Sequence, residues 1–419
     1  MTTDAALDQT LALLKAKDDT SRFVGLSLLR SLLDTREDVR SNPDIVSKCW
    51  SAIPAKFLTR LLQSRQNEKR SAEEAQAMVQ LAVGVIHTFI ILLPAKDLEG
   101  EKMVSVCRIL AREYLHRVVL ERPTAQARRD CMLLAADLLR TLPPGPSTLK
   151  LIFTAEPSED SSKPFAYVFT SYVLIDIRST IPSLMEILAS KSYSDTAIRL
   201  ATGYDILGAF ISYLVQSLDD EADEDGKEPA AVLQPDLLLK LRKDIAETMS
   251  LTIEYIRDRW DAAKAGAAGL HPSTRPSPDK KQPEGSDTPL ALAWENPTIP
   301  VTGDPIIIAG LRTLAIWLRE DENDSLRKEA AGIMDVMLAL YGGSAEAQDT
   351  NASDFRLTVL MALEAILETE EGVQAFLENG GKAALASDLQ RCSSESTSTE
   401  ADQHVVDMIE GLLAAIPDT

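Results

Sequence analysis

Apolar residues recur every three or four positions along much of the chain, and this spacing predicts amphipathic helices. The clearest example runs from Gln234 to Ala262. Its stripe consists of Leu241, Ile245, Met249, Ile253, Ile256 and Trp260. We expect this stripe to be buried against neighbouring helices, because an isolated helix gains little stability from propensity alone. We expect the opposite side to face solvent, at Lys243, Glu247, Glu254 and Arg257.

The same periodicity continues along the whole chain and predicts an all-α protein, since no pair of strands joined by a hairpin turn is apparent. The expected helices, with approximate ends, are Ala5–Lys15, one after the capping residues Asp18–Ser21, one from Asn42 through Trp50, Lys56–Leu62, Ala72–Leu93, Glu101–Glu121, Pro123–Leu142, Ala166–Ile177, Ile181–Ala189, Asp195–Leu218, Gln234–Ala262, Leu311–Leu318, Leu326–Leu340, Leu360–Leu367, Lys382–Leu389 and Ala401–Ala415. The segment Leu149–Phe153 is ambiguous between helix and strand. The segment Ala72–Leu93 is apolar nearly all round, which indicates a central, buried element. Gly342 and Gly343 predict the end of the helix that carries Leu340.

Three segments resemble one another, and each is a Pro or Gly break followed by an amphipathic helix. They begin at Ser51, Ser179 and Glu378. Pro54 and Pro182 are 128 positions apart, close to three of the ~40–47-residue units of armadillo and HEAT repeats. The sequence therefore favours an α-solenoid of armadillo/HEAT-like repeats wound as a right-handed superhelix. The alternative is chance similarity among leucine-rich helices.

Composition divides the chain into three parts. Residues 1–261 are expected to form N-terminal helical repeats with an acidic loop at 219–230. Residues 262–304 are rich in Pro, Ser and Lys and are expected to form a flexible linker or insertion. Residues 305–419 are expected to continue the same solenoid. Ser277 and Thr288 precede prolines and are candidates for phosphorylation, although such dipeptides are common in ordinary loops.

The acidic loop does not match a calcium-binding loop. Placing Gly226 at the sixth position puts Val232 at the twelfth, where a bidentate glutamate is needed. We therefore expect a solvated acidic loop or a contact with a basic partner.

The net charge of −21 argues against nucleic-acid and anionic-membrane binding, because phosphates repel such a surface. No charged residue occurs between Glu74 and Lys96. The strongly apolar part, Leu81–Leu93, is nevertheless shorter than the ~20 residues of a bilayer crossing, so we expect no membrane span. Four scattered cysteines without CxxC spacing, and no visible signal peptide, predict a reducing compartment and a cytoplasmic location.

No sequence motif points to chemistry. GxSxG, HExxH, P-loop and GxGxxG patterns are absent from the sequence. The four histidines have no metal-ligand spacing with one another or with the cysteines, and His87 is expected to be a satisfied core residue. Trp50, Trp260 and Trp317 lie on apolar helical faces and are expected in the core. We predict no catalytic, cofactor-binding or metal-binding residue and therefore no enzyme.

Several stretches resemble the neurochondrin family, in particular its fungal-type members. They are LALLKAKDDTSRFVGLSLLRSLLD, CWSAIPAKFLTRLL, IDIRSTIPSLMEIL, YDILGAFISYLVQSLDD, PDLLLKLRKDIAETMSLTIEYIRDRWDA and LRKEAAGIMDVMLALY. The resemblance implies a cytosolic, non-enzymatic, armadillo-like helical protein, and it carries no catalytic motif. Together with the acidic charge, it predicts a scaffold that binds proteins through their basic or extended segments. The alternative is an escort or assembly chaperone for a basic client.

Overall fold

The computed structural model describes residues 3–66, 71–98, 100–116, 119, 124–154, 163–188, 190, 192–223, 233–264, 301–346, 354–394 and 400–416. Every regular element in these ranges is a helix, which confirms the predicted all-α class. The chain divides into two compact units, Met1–Phe169 and Thr170–Thr419. This division falls inside the range 1–261 that composition predicted as one set of repeats.

The helices of the first unit follow one another closely. They are α1 (Thr3–Leu14), α2 (Asp19–Thr35), α3 (Glu37–Arg40), α4 (Pro43–Ala52), α5 (Ala55–Leu62), α6 (Ala72–Leu92), α7 (Ala95–Leu98), α8 (Glu101–Leu110), α9 (Ala125–Thr141) and α10 (Pro146–Phe153). The ambiguous segment Leu149–Phe153 is therefore helical. The predicted helix Glu101–Glu121 changes at Ala111 into a π-helical segment, Ala111–His116.

Capping side chains determine where two important helices begin. The side chain of Asp18 accepts a hydrogen bond from the backbone N–H of Ser21 at 2.7 Å, as its position before α2 predicted. Ser71 and Glu74 form a capping box at the start of α6, in which each side chain accepts from the other's backbone N–H. These bonds satisfy amide groups that the first helical turn leaves without intrahelical partners.

Helix α6 is the centre of the first unit and packs against α2, α4, α5 and α9. Its buried side includes Val85, Ile86 and Phe89, and the Phe89 ring lies 5.1 Å from the Trp50 ring of α4. Lys102 of α8 places its ammonium 4.2 Å from the centre of the same Trp50 ring. The prediction that Trp50 is a core residue is confirmed.

The helices of the second unit follow α11 (Phe165–Leu184), which contains the division between the units. They are α12 (Ser192–Asp223), α13 (Pro235–Lys264), α14 (Pro305–Glu320), α15 (Asp324–Ala331), α16 (Met334–Glu346), α17 (Arg356–Ile366), α18 (Glu370–Glu378), α19 (Gly381–Ser394) and α20 (Glu400–Ala415). Helix α18 had no counterpart among the helices expected from the sequence.

The helices of the second unit stack in two rows, and each row skips the helices that belong to the other. Helix α12 packs against α14, α14 against α17, and α17 against α20, while α13 packs against α15 and α15 against α18. The two rows also contact each other, α13 against α14 and α15 against α17. Such stacking of each helix on the next is typical of repeat proteins. The armadillo-like solenoid and its right-handed winding stay predictions.

Ion pairs join several of the helices and turns of the second unit. A basic residue of the earlier helix meets an acidic residue of the later part of the chain in each of these pairs. They are Arg178–Glu247 at 2.8 Å, Arg257–Asp335 at 2.6 Å, Arg327–Glu368 at 2.6 Å and Lys328–Glu371 at 2.9 Å. Partly exposed pairs each contribute little stability.

The stripe of α13 is buried as predicted, with each of its six apolar residues at most 4% exposed. Lys243, Glu247 and Glu254 are exposed, which confirms the expected solvent side. Arg257 departs from it, because its guanidinium is half-buried between Asp335 and the carbonyl oxygen of Gly332. The pKa of Arg257 is raised by its hydrogen bond to Asp335.

The predicted break at Pro182 and the separate helix Ile181–Ala189 are wrong. Pro182 lies inside α11, and a short 3₁₀ segment, Met185–Ile187, continues directly from that helix. A proline costs one backbone hydrogen bond in a helix. The burial of Ile181 and Leu184 on either side of it offsets this cost near the helix end.

The predicted stop at Gly342 and Gly343 is also wrong, because α16 runs through both glycines to Glu346. The neighbouring Tyr341 is buried and donates a hydrogen bond of 2.7 Å from its hydroxyl to Asp388 of α19. This packing holds the helix where local propensity favours its end.

The predicted single stripe from Leu326 is instead interrupted after Ala331, where α15 ends. Before α19, Gly380 has a φ of +73°, so the predicted glycine break there is confirmed.

The ends of the predicted linker belong to the helical fold. Helix α13 continues to Lys264, Val301–Gly303 forms a 3₁₀ turn, and Asp304 is fully buried. Residues 265–300, including Ser277 and Thr288, lie outside the described residues. The same is true of 224–232, most of the predicted acidic loop.

Candidate functional site

Helices α2, α6 and α9 lie side by side in the first unit, and a cavity of about 380 Å³ opens among them. We call this cavity and the exposed faces of α6 and α9 beside it the α6–α9 groove. Its apolar lining comes from Val83, Leu133 and Leu134. Its polar lining comes from Arg30, Gln80, His87, Tyr114 and Asp130, and Gly84 completes the wall. Tyr114 lies in the π-helical segment, a local irregularity that often accompanies functional sites.

Large aliphatic side chains project into solvent from the three helices around the groove. Ile91 of α6 is 58% exposed and Leu133 of α9 is 41% exposed, and Val24 and Leu28 of α2 are exposed as well. Only 39% of the apolar segment Glu73–Leu92 is buried, compared with 61% of Ser192–Ser217. The helix Ala72–Leu93 is central to its unit, as predicted, but it is buried on one side only. One side of this helix is left uncovered by its unit, and large apolar side chains exposed beside a cavity are candidates for contact with a partner.

Gly84 allows the side chain of Arg30 to lie against α6. A Cβ atom at position 84 would come within 2.9 Å of the Arg30 guanidinium. The guanidinium therefore occupies the space beside the glycine, at the edge of the cavity. Arg30 also lies 3.8 Å from the carboxylate of Asp34 on its own helix, which balances its charge.

His87 joins α6 to α9 across the groove. Its Nε2 lies 2.6 Å from an Asp137 carboxylate oxygen, and its side chain is 40% exposed. The hydrogen bond to Asp137 raises the pKa of His87 above its ordinary value, against the opposing effect of burial. Arg140 lies 3.7 Å from the other oxygen of Asp137. The expectation of a core histidine is wrong, because this residue is half-buried in the wall of a groove.

Because the pKa of His87 is raised by folding, its pairing with Asp137 stabilises the protein most at low pH. This contribution is fully present below the ordinary histidine pKa of about 6.5 and is lost as pH rises through the folded value. We expect His87→Gln to lower the free energy of unfolding more at pH 6 than at pH 8.5. Urea denaturation at both pH values measures the difference. His404→Gln, on the exposed side of α20, is the control for the replacement of a histidine and is expected to cause a smaller loss at pH 6 than His87→Gln. An equal loss of unfolding free energy at both pH values would contradict a stabilising pair between protonated His87 and Asp137.

Asp130 is the carboxylate of the groove whose charge is least balanced. It accepts a hydrogen bond from Gln126 at 2.7 Å, and no ion pair to it occurs among the described residues. Arg129, next to it, donates instead to Gln126 at 3.1 Å. The groove thus combines an apolar lining with one exposed, uncompensated negative charge.

The remaining titratable groups do not form a reactive site. Burial raises the pKa of the Cys49 thiol to about 11 and those of Cys107 and Cys131 to about 12, so these thiols stay protonated. His116 is buried, and its Nε2 lies 3.1 Å from the carbonyl oxygen of Ile152. Its pKa is lowered, chiefly by burial. Within the described ranges, no group of three or more His, Cys, Asp or Glu residues is arranged to hold a metal ion.

A buried polar cluster in the second unit has a structural rather than a chemical role. Arg259 of α13 and Asp304 before α14 are both fully buried, with the arginine Nε 3.0 Å from the carboxylate. The hydroxyl of Tyr193 donates to the same carboxylate and contacts the hydroxyl of Tyr255. Asp304 also caps α14 through the N–H of Ile306. Since all four residues are at most 2% exposed, no substrate reaches them.

Two helices among the described residues are long and apolar enough to cross a membrane by length and composition, namely Glu73–Leu92 and Ser192–Ser217. The second is largely buried within its unit. Core helices of soluble proteins share these properties, so length and composition alone are weak support for a span.

Comparison with known proteins agrees with the resemblance seen in the sequence. The neurochondrin family model matches residues 2–109 and 105–413 of the chain. An uncharacterized protein of Schizosaccharomyces pombe is 21% identical over 471 aligned positions, which cover 93% of this chain and 76% of the relative. The family match extends over both compact units and across the groove. The chain belongs to the neurochondrin family.

Proposed function

We propose that the protein is a non-enzymatic scaffold that binds partner proteins, and that the α6–α9 groove is one of its binding surfaces. Membership in a family not known for enzymatic activity supports a binding role. The observation that carries the proposal is the exposure of two large aliphatic side chains, Ile91 of α6 and Leu133 of α9, on helices that pack against each other. A cavity beside this face offers a place for a partner's side chain.

The net charge of −21 favours partners with basic segments. It disfavours nucleic acids and anionic membranes, and we propose a cytoplasmic location for the protein. Binding that depends on charge weakens as salt screens it. We therefore expect partner retention to decrease when the salt concentration is raised during purification.

Replacement of the exposed groove residues tests the scaffold proposal. We expect Ile91→Ser with Leu133→Ser to remove proteins that otherwise co-purify with the tagged full chain from its own cells, as identified by mass spectrometry. The matched control is Ile175→Ser with Leu239→Ser, which changes two similarly exposed aliphatic residues in the second unit. Both variants should fold, because exposed positions tolerate polar residues. Co-purification of the same proteins with both variants would place partner binding outside the groove.

An escort or assembly chaperone for a basic client is the second candidate, and the acidic charge of the chain favours it as well. An escort binds one client in a fixed ratio and suppresses its aggregation, whereas a scaffold holds two or more partners at once. Mass measurement of the purified complex by light scattering distinguishes the two functions. One client in a fixed ratio with suppressed aggregation would favour the escort.

A further inference from the structure

We propose that the α6–α9 groove receives an amphipathic helix of the partner protein, with a lysine or arginine of that helix paired to Asp130. This inference rests on the proposed scaffold function and adds the chemistry of the bound segment. Apolar side chains of the partner helix cover Ile91 and Leu133, and its basic side chain enters the cavity beside them. The aliphatic stem of such a side chain packs on Val83 and Leu133 while its charge reaches the carboxylate.

The shape of the surface favours a bound helix. Helices α6 and α9 pack side by side, and a third helix fits the groove between two neighbours by the same packing that operates within the protein. The apolar residues Ile91 and Leu133 provide an anchoring area that the first unit leaves uncovered. An amphipathic helix supplies a matching stripe at intervals of three and four residues.

Backbone hydrogen bonding favours a helix over an extended peptide. An extended segment exposes backbone N–H and C=O groups that need side-chain partners when they are covered. Several polar side chains of the cavity already have partners within the protein, because Arg30 lies beside Asp34 and His87 is bonded to Asp137. A helix satisfies its own backbone groups and presents mainly side chains.

The charges around the groove favour a basic residue in the partner. Arg30 lies beside Asp34, and Asp137 is shared by His87 and Arg140. These groups largely balance one another. Asp130 is left with a hydrogen bond from Gln126 and no ion pair among the residues described. A cation from a partner supplies the missing charge with little cost, since the carboxylate is exposed.

Designed peptides test this inference on the full-length chain. The probe is a fluorescein-labelled peptide of about 18 residues, or about five helical turns, with Leu along one face and Lys along the other. One comparison peptide replaces each Lys with Glu, and another places two prolines in its centre to prevent helix formation. Fluorescence anisotropy measures binding at about 0.15 M salt, where charges more than ~8 Å apart are largely screened.

We expect the Lys peptide to bind, with affinity reduced about tenfold or more by Leu133→Ser and about two- to fivefold by Asp130→Asn. Leu239→Ser and Asp258→Asn make the same chemical changes at exposed positions of α13 and are expected to have no effect. We expect the Glu peptide and the proline peptide to bind at least about tenfold more weakly.

Several outcomes would overturn the inference. Equal binding to wild type, Leu133→Ser and Asp130→Asn places the peptide elsewhere. Equal or tighter binding of the proline peptide assigns the groove to extended segments. Binding of phosphatidylcholine vesicles that is lost in Leu133→Ser assigns it to membranes. If no peptide binds but the double serine variant still loses its co-purifying proteins, the helix chemistry fails and the scaffold function stands. If co-purification is also unchanged, both fail.

Discussion

Replacing Arg259 with leucine is expected to lower the free energy of unfolding by about 3–5 kcal/mol, because it leaves the buried carboxylate of Asp304 without its cation. Both side chains are fully buried, and the pair joins α13 to the start of α14. The hydroxyl of Tyr193 also donates to this carboxylate but carries no charge. Arg259 is the one cation that the described residues place on Asp304, so its removal leaves the carboxylate charge unbalanced. Urea denaturation of the full chain, followed by circular dichroism, measures the loss.

A second change separates the missing charge from the lost packing of Arg259. Asp304→Asn removes the negative charge but keeps an oxygen that can cap α14. We expect Arg259→Leu with Asp304→Asn to be less destabilised than Arg259→Leu alone, since no unpaired charge then remains buried. Arg312→Leu is the control. It removes an exposed arginine 3.7 Å from Asp205, a pair worth at most about 1 kcal/mol. A loss below about 1 kcal/mol in Arg259→Leu would contradict the importance of the buried pair.

Gly372→Ala is expected to destabilise the protein by about 1–3 kcal/mol through overpacking. A Cβ atom at position 372 would collide with the backbone carbonyl oxygen of Ile366 and lie 2.8 Å from its Cγ2 atom. The backbone N–H of Gly372 also donates to the Thr369 side chain at 3.1 Å, which fixes the start of α18. Alanine favours a helix by up to about 1 kcal/mol over glycine. We expect the collision to exceed this gain, because the obstructing atom belongs to the backbone.

Gly343→Ala is the matched control for that prediction. Gly343 lies inside α16, and a Cβ atom there would have no neighbour within 4 Å. We therefore expect this variant to be stabilised by up to about 1 kcal/mol, since alanine removes the glycine penalty without a collision. The midpoints of thermal unfolding of both variants and the wild type check the two signs. A stabilised Gly372→Ala would show that the turn before α18 relaxes easily.

The hydrophobic pattern predicts the helices around the groove but not the groove itself. The apolar content of Ala72–Leu93 predicts a central, buried helix, and it does not show that one side of this helix is exposed. The outer side of α6 carries mainly small or uncharged polar residues, such as Ala77, Gln80 and Gly84, so no run of charges marks it as exposed. Asp130 and His87 likewise have no local signal, because their roles depend on the packing of α9 against α6. A histidine and an aspartate 50 positions apart, His87 and Asp137, form no recognisable motif.

Local interactions explain what the sequence by itself determined. The stripe from Leu241 to Trp260 specifies one buried face of α13, because its spacing matches the helical repeat whatever packs against it. Asp18 likewise marks the start of α2, because its side chain accepts a hydrogen bond from the backbone N–H of Ser21, three residues later. The all-α class and the neurochondrin membership follow from patterns of this kind spread along the chain.

Only the tertiary structure decided which polar and helix-breaking residues the fold accepts. Arg259 is fully buried because Asp304, 45 positions later in the chain, supplies its counter-charge. Pro182 and Gly343 stay within helices because the packing of neighbouring residues outweighs their local preferences. The exposure of one side of α6 is also decided by tertiary structure, because it depends on which other helices pack against this helix. These outcomes depend on contacts between distant parts of the chain, which no local pattern records.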